Sequence, residues 1–181
     1  FWIVVGLCHP NAHILVRGVG LNPSRTGIMD VFQEMGAGDS LQLLDQRTEG
    51  GEPVADILVT STELHGVEIG GDLIPRLLDE VPVLAVAACF ATGDTVIRDA
   101  AELRVKESDR IATTVSELTL LGASIEATGD GMVIHGKGSG PDVLNGADCE
   151  SHDDHRMAMA MAVAGLLAEG ETTVHGAADA S

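Results

Sequence analysis

The fold is decided by Thr95-Val96-Ile97-Arg98-Asp99, followed by Arg104-Val105-Lys106-Glu107-Ser108-Asp109-Arg110 and an apolar stretch that ends at Gly122-Ala123. The first segment is rich in β-branched residues, which predicts a strand. After Arg110, apolar residues recur every three or four positions, which is the spacing of one helix face. Glycine commonly ends a helix, and Met132-Val133-Ile134 predicts a second strand. The region therefore predicts a strand, a polar loop, a helix and a returning strand.

The same order of elements occurs about 82 positions earlier in the chain. Ile14–Val19 predicts a strand, Asn22–Gly27 a polar turn, and a helix then closes at Gly36-Ala37. A third copy begins at Thr172–Gly176 and stops at Ser181, before its helix. A period of this length exceeds the roughly 20–50 residues of solenoid repeats. We therefore expect a small α/β module that is used about three times around a common centre.

Each predicted strand is preceded by an apolar segment that predicts a helix: Phe1–Leu7, Val81–Ala91 and Arg156–Ala168. The second and third of these are rich in alanine and apolar on nearly all sides, which indicates that they are buried. The predicted fold class is α/β (α+β), with two nearly complete modules and the start of a third.

The charge balance is strongly acidic, with 10 Lys and Arg against 28 Asp and Glu and a formal net charge of −18. Nucleic acids and anionic membranes select basic surfaces, so the composition argues against both as partners. A hydrophobic content of 45% argues against disorder. The three cysteines, Cys8, Cys89 and Cys149, form no CxxC pair, which fits a reducing cytoplasm. Cys8 and Cys89 lie in apolar runs, so we expect these two to be core residues.

The polar loop at residues 104–110 is the first candidate site. Helix N-termini present unpaired amides and the positive end of the helix dipole, and Ser108 or Glu107 is placed to begin the helix. Lys106 and Arg110 flank that end and would hold a phosphate or carboxylate, while Glu107 could move a proton. The alternative from the residues alone is a solvated, salt-bridged helix start.

A second polar helix start lies at Ser151–Arg156. Ser151 or Asp153 can cap the helix, and His155 and Arg156 would emerge in its first turn. A metal site is the alternative, but no other residues complete a ligand set, so we predict no metal. A second anion-binding helix start, with His155 as a proton donor or hydrogen-bond partner, is favoured.

Two further segments carry candidates. Asp79 precedes the helix at Val81–Ala91, where it either caps that helix or acts as a general base. Asn22 suits an N-cap and Pro23 the first helical position, so Arg25 would project from another helix start.

Four motifs together resemble the 5-enolpyruvylshikimate-3-phosphate synthase family, and the similarity runs over essentially all 181 residues. They are Arg104–Arg110, Asp154-His155-Arg156-Met157-Ala158-Met159, Gly20-Leu21-Asn22-Pro23-Ser24-Arg25-Thr26-Gly27 and Asp79-Glu80. The resemblance implies an enolpyruvyl transferase-like inside-out α/β barrel domain, built from βαβαββ modules with helix N-termini facing an interdomain cleft.

The resemblance also implies which cations bind substrate. Lys106, Arg110 and Arg156 are similar to the residues that hold phosphoenolpyruvate, His155 is similar to the histidine beside them, and Arg25 is a candidate for a further anion contact. No metal or organic cofactor is implied.

The implied reaction is attack of the 5-hydroxyl of shikimate 3-phosphate on phosphoenolpyruvate, followed by loss of phosphate. Asp79 and Glu107 resemble the acid/base pair of this reaction, with Lys106 and His155 beside them. Asp79 would take the hydroxyl proton and Glu107 would deliver one to the methylene carbon.

The resemblance further implies a cytoplasmic enzyme of which this chain, residues 1–181, is most of one domain. The partner N-terminal domain would carry much of the shikimate 3-phosphate site. We therefore expect the chain alone to have no useful turnover, although it would bind phosphoenolpyruvate or the herbicide glyphosate weakly.

Three alternatives stay open. The first is the related enolpyruvyl transferase that acts on UDP-N-acetylglucosamine, the second is a non-catalytic anion-binding module, and the third is a purely structural repeat. The motifs favour the shikimate enzyme. Half of the ten basic residues are then predicted to face one cleft: Arg25, Arg104, Lys106, Arg110 and Arg156.

Overall fold

A computed structural model describes residues 1–177 of the chain. The last residues of the predicted third module, 178–181, lie outside the described part. The α-helices of the described part are α1 (Trp2–Cys8), α2 (Gly27–Glu34), α3 (Val81–Cys89), α4 (Arg110–Leu120) and α5 (His155–Leu167). The strands are β1 (His13–Gly20), β2 (Leu41–Glu49), β3 (Glu52–Thr60), β4 (Leu64–His65), β5 (Glu68–Ile69), β6 (Ala91–Ile97), β7 (Ile125–Ala127), β8 (Met132–Lys137), β9 (Asp148–Glu150) and β10 (Thr173–His175).

Helix α3 lies at the centre of the molecule, and all nine of its residues are buried. It packs against α1 and α5, which bury Val4–Cys8 and the Met157, Ala160 and Met161 face respectively. A helix with no polar face needs apolar neighbours on every side, and alanine lets those neighbours approach closely. The prediction that the alanine-rich helices are buried is confirmed for α3, whereas α5 is buried on one face only and exposes Met159 and Leu166.

The sheets lie outside these helices, and each central helix packs on the sheet of its own module. The first sheet is antiparallel, in the order β1-β3-β2. The second has the order β4-β6-β8-β7, with β5 also pairing with β6, and the third is the parallel pair β10-β9. Strands β1, β6 and β10 follow α1, α3 and α5, as the repeat predicts.

The glycines that follow α2 and α4 have the same backbone geometry. Gly36 after α2 and Gly122 after α4 have φ of +93° and +88°. The N–H of the alanine that follows each glycine donates to the carbonyl five residues earlier in the chain. The distance is 2.9 Å both from Ala37 to Phe32 and from Ala123 to Leu118. This is the Schellman arrangement, and it confirms that the two modules end their helices in the same way.

The boundaries of one strand differ from the prediction. Strand β6 runs from Ala91 to Ile97, whereas the sequence predicts Thr95–Asp99. Asp99 has φ of +60°, and its carboxylate accepts a hydrogen bond of 2.9 Å from the amide of Gly71. This contact with a distant turn holds Asp99 outside the strand, and β-propensity cannot reveal it.

All three cysteines are buried and unpaired by disulfides, which confirms that Cys8 and Cys89 are core residues. Burial raises the pKa of the Cys8 and Cys89 thiols to about 12 and that of Cys149 to about 11. Within residues 1–177, no helix has the length and apolar character needed to cross a lipid bilayer.

Strand β8 crosses the end of α3 at a glycine, which gives a stability prediction. A Cβ at Gly136 would collide with the carbonyl oxygen of Ala91 and lie 2.6 Å from that of Ala88. Gly136→Ala should therefore lower the free energy of unfolding by about 3 kcal/mol, because backbone atoms cannot move aside. Gly140→Ala, where no atom lies within 4 Å of the new Cβ, is the matched control and should change little in urea denaturation. Equal effects of the two substitutions would contradict this packing.

Candidate anion-binding site

Side chains from four separate segments meet at the end of the molecule where α3, α4 and α5 begin. Arg110 is the first residue of α4, and Arg156 is the second residue of α5. Arg25 ends the 3₁₀ turn Pro23–Arg25, and Asp79 lies in the 3₁₀ turn before α3. Asn22 accepts a hydrogen bond from the amide of Ser24, so its predicted capping role is confirmed.

Asp79 contacts the guanidinium groups of three arginines. Its Oδ2 lies 3.3 Å from Nη2 of both Arg25 and Arg156, and its Oδ1 lies 3.2 Å from Nη1 of Arg110. Helix α3 follows Glu80 and receives no side-chain cap, so the alternative that Asp79 caps this helix is wrong. The structure brings three of the predicted cations, Arg25, Arg110 and Arg156, together with the predicted base at one point.

Arg110 is held by a buried ion pair with Asp154. The two side chains are 2% and 0% exposed, and Nε of Arg110 lies 2.8 Å from Oδ2 of Asp154. Asp154 also accepts hydrogen bonds from the Ser108 hydroxyl, at 3.1 Å, and from the amide of Arg156, at 2.9 Å. Burial opposes ionisation of Asp154, but the bonds from Arg110 and Arg156 outweigh it and hold its pKa below the ordinary value.

The same pair raises the pKa of Arg110, against the opposing effect of burial, because Asp154, Glu107 and Asp79 all stabilise the cation. Oε2 of Glu107 lies 2.6 Å from Nη2 of Arg110. Asp154 therefore holds the Nε side of the Arg110 guanidinium. Nη1 and Nη2 of the same group face the two candidate acid/base carboxylates, Asp79 and Glu107 respectively.

The helix caps differ from the prediction. Asp109, not Ser108 or Glu107, caps α4 by accepting from the amide of Ala112 at 3.0 Å. Asp154, not Ser151 or Asp153, caps α5. Neighbouring polar residues compete for a cap, and the aspartate directly before each helix has the reach to bond the N2 or N3 amide.

Lys106 lies at the border of the cluster, where it pairs with Glu102 one helical turn earlier. A cleft of about 280 Å³ opens here, and its lining includes Ser24, Arg25, Asp79, Glu80, Glu102 and Lys106. Lys106 therefore faces the same cleft as Arg25 and Asp79, as predicted.

Arg104 does not join the other cations, so that prediction is wrong. Its guanidinium donates to the carbonyls of Thr128 and Gly129, at 2.6 and 3.1 Å, and pairs with Asp109. These acceptors lie on the turn between β7 and β8, about 24 residues away in sequence. Arg104 therefore links that turn to Asp109 at the start of α4.

His155 is the first residue of α5 and lies between Asp154 and Arg156. Its Nδ1 is buried and has no hydrogen-bond partner among the described residues. The prediction of His155 in the first turn of this helix is confirmed, and its role stays a prediction.

Two residues of this region were missed by the sequence reasoning, Asp154 as the partner of Arg110 and Glu117 as a buried carboxylate. Glu117 is 3% exposed and lies seven residues after Arg110, which is two helical turns along the same face. An acidic residue on that face is the signal that could have indicated a buried polar contact.

A larger cavity of about 610 Å³ lies at the opposite end of the central helices. It is lined by the C-terminal ends of α1 and α5 and by acidic residues that include Glu63, Asp142 and Glu169. Helix C-termini carry partial negative charge, so this cavity does not favour an anion.

The arginine cluster can bind a compact anion and support proton transfer beside it. Two of its cations stand at the N-termini of α4 and α5, where the helix dipoles add positive potential. Asp79 and Glu107 supply two carboxylates at its edge. Among residues 1–177, no group of three or more His, Cys, Asp or Glu side chains is arranged to hold a metal ion.

Helices in the core, sheets around them, and helix N-termini that carry Arg110 and Arg156 at one end form the architecture of an enolpyruvyl transferase-like domain. The structure is similar to that of EPSP synthase from Acinetobacter baumannii, with a TM-score of 0.92 and 41% identity over 98% of this chain and 40% of that chain. The family model of EPSP synthase (3-phosphoshikimate 1-carboxyvinyltransferase) matches residues 1–181. The chain belongs to this family, and the predicted fold class is confirmed.

Curated relatives agree with this assignment. The chain is 58% identical over 174 residues to the 3-phosphoshikimate 1-carboxyvinyltransferase of Herpetosiphon aurantiacus, covering 96% of this chain and 39% of that protein. It is 56% identical to the enzyme of the same name from Brevibacillus brevis, with the same coverage. The chain therefore spans about two fifths of the length of the relatives that it matches.

The buried pair gives a prediction with a pH dependence. Asp154→Asn should lower the free energy of unfolding near neutral pH by about 3 kcal/mol, because Arg110 stays buried without its counter-charge. Since the pKa of Asp154 is lower in the folded state than the ordinary 3.8, the carboxylate stabilises the fold above that value and loses its effect as the pH falls below it. The difference between wild type and variant should therefore shrink in acid.

The neighbouring Asp153→Asn is the matched control for Asp154→Asn. Asp153 is exposed and has φ of +56°, a conformation that asparagine tolerates. Chemical denaturation between pH 2 and 8 compares the two variants, and a stability loss in Asp153→Asn as large as in Asp154→Asn would contradict the assignment.

Proposed function

We propose that the full-length protein transfers the enolpyruvyl group of phosphoenolpyruvate to the 5-hydroxyl of shikimate 3-phosphate and releases phosphate. Membership of the family and the names of the relatives support this activity. The observation that carries the proposal is the convergence of Arg25, Arg110 and Arg156 on Asp79, with Glu107 on Arg110.

The cations are proposed to bind the two anionic groups of phosphoenolpyruvate. Planar guanidinium groups match phosphate and carboxylate with paired hydrogen bonds, and Arg110 and Arg156 reach a common point beside the 280 Å³ cleft. Lys106 adds an ammonium group at the border, and Arg25 is a candidate further contact. Asp79 contacts Arg25, Arg110 and Arg156, so an incoming phosphate competes with its carboxylate for them.

In the addition step, Asp79 accepts the proton of the 5-hydroxyl as the oxygen forms a bond to C2 of phosphoenolpyruvate. Glu107 gives a proton to C3, which becomes a methyl group, and a tetrahedral intermediate results. In the elimination step, the bond between C2 and the phosphate oxygen breaks, Glu107 takes a proton back from C3, and the double bond between C2 and C3 forms again as phosphate leaves. Lys106, Arg110 and Arg156 stabilise the charge that develops on the phosphate, and His155 lies beside them.

The chain is proposed to be most of one of two domains. A partner domain would supply the remaining contacts to shikimate 3-phosphate, since the chain covers 39% of its relative from Herpetosiphon aurantiacus. The small-molecule substrates and this partner domain are the partners that the proposal requires.

Replacing the two carboxylates tests the enzymatic role against that of a non-catalytic anion-binding module. Glu107→Gln and Asp79→Asn in the full-length protein should each lower kcat by about 10²–10⁴-fold, because each removes a proton-transfer group. Glu34→Gln, an exposed carboxylate at the end of α2, is the matched control and should retain wild-type turnover. Steady-state phosphate release measures all three, and full turnover in both site variants would show that this module binds anions without supplying catalytic groups to the full-length protein.

The domain proposal predicts the behaviour of the chain alone. The isolated 181-residue chain should release no phosphate from phosphoenolpyruvate and shikimate 3-phosphate, because it lacks the proposed partner domain. A coupled phosphate-release assay, with the full-length protein as the positive control, makes the comparison. Robust turnover by the isolated chain would contradict the proposal.

A further inference from the structure

The turn that leads into α5 has an unusual backbone. His152 and Asp153 are consecutive residues with φ of +54° and +56°. Side chains other than glycine rarely adopt this left-handed conformation, and it persists only where surrounding contacts enforce it. The turn stands directly before Asp154, His155 and Arg156, so whatever holds it also sets the position of these residues.

Glu117 of α4 holds the start of this turn. Its carboxylate is buried, with Oε2 accepting a hydrogen bond of 3.0 Å from the amide of Glu150 and Oε1 lying 2.8 Å from Nε2 of His152. Each oxygen therefore has its own partner, one on the last residue of β9 and one on the first left-handed residue. No other side chain of α4 bonds to residues 150–153 within the described part of the chain.

Strand β10 closes the turn from the other side. The amide of Ser151 donates to the carbonyl of His175 at 3.0 Å. A Cβ at Gly176 would lie 2.7 Å from the Ser151 hydroxyl, so the close approach of β10 requires glycine there. This side is held by backbone contacts, and Glu117 is the side chain that ties the turn to α4.

Helix α4 thus contacts the turn through two of its side chains. Glu117 holds its beginning, and Arg110, two helical turns earlier on the same face, holds its end through Asp154. Asp154 in turn bonds the amide of Arg156, so a shift of the turn moves both the counter-ion of Arg110 and the backbone of Arg156.

We infer that Glu117 is a positioning residue for the anion site: by holding the left-handed turn at residues 151–153 it places Asp154 and Arg156, and through them it sets the phosphate affinity of the arginine cluster. Glu117 does not line the cleft beside Arg25 and Asp79. The identity of the anion as phosphate rests on the proposed function, whereas the placement of the turn does not.

The test uses the full-length protein and inorganic phosphate as the probe. Glu117→Ala should weaken phosphate binding about 10–100-fold, which is the loss expected when hydrogen bonds to a buried charged group are removed. Glu117→Gln keeps a carbonyl oxygen that can accept from Glu150, so it should restore part of the affinity. Leu118→Ala, a fully buried neighbour on α4, is the control for a loss of stability that leaves the turn intact, and its phosphate affinity should equal that of wild type.

A second readout does not depend on binding or turnover. The NMR signal of the Arg110 Nε–H group, assigned with Arg110→Lys, reports the contact with Asp154, and hydrogen exchange of the Arg156 amide reports the cap. In Glu117→Ala the signal should shift and the amide should exchange faster, in Glu117→Gln both should change less, and in Leu118→Ala both should match wild type.

Unchanged Arg110 and Arg156 signals in Glu117→Ala would overturn the inference, as would a loss of affinity in Leu118→Ala equal to that in Glu117→Ala. If Glu117→Ala does not fold, the same measurements are made on Glu117→Gln, and unchanged Arg110 and Arg156 signals in that variant would overturn the inference. Failure of the proposed function is recognised separately, because it would leave wild-type protein without turnover while these signals still report the turn.

Discussion

The buried ion pair between Arg110 and Asp154 is the interaction on which the site depends. Two charges removed from water are stabilising only when their geometry is good and their remaining donors and acceptors are satisfied. Here Asp154 accepts from Arg110, Ser108 and the amide of Arg156, while the outer nitrogens of Arg110 reach Asp79 and Glu107. The pair thereby joins the first residues of α4 and α5 and orients both toward the turn before α3.

This arrangement gathers three arginines at one point of a chain whose net charge is −18. Positive potential depends on where the cations lie, and Arg110 and Arg156 stand in the first turns of α4 and α5, whose N-terminal ends carry partial positive charge. Arg25, Arg110 and Arg156 all contact Asp79. The acidic composition argues against a nucleic-acid partner, but it does not argue against the proposed binding of a phosphate at one point.

Local features of the fold were predictable from the sequence because neighbouring residues determine them. The apolar helices, the glycine stops at Gly36 and Gly122 and the convergence of helix starts all follow from periodicity and repetition. Contacts between distant residues were not predictable in this way. Arg104 is held by carbonyls on another turn, Asp154 pairs with Arg110, 44 residues away, and Glu117 meets its partners 33 and 35 residues further along the chain. The motif resemblance indicated the candidate site residues, but not the pair that holds them.

The proposed function requires Arg110, Arg156 and Lys106 to bind the phosphate of phosphoenolpyruvate. A crystal structure of the full-length protein with phosphoenolpyruvate and shikimate 3-phosphate tests it directly. Phosphate oxygens should lie about 3 Å from these three side chains, with Asp79 released from the arginines and the Arg110–Asp154 pair intact. Phosphate bound away from Arg110 and Arg156, for example in the larger cavity at the opposite helix ends, would contradict it.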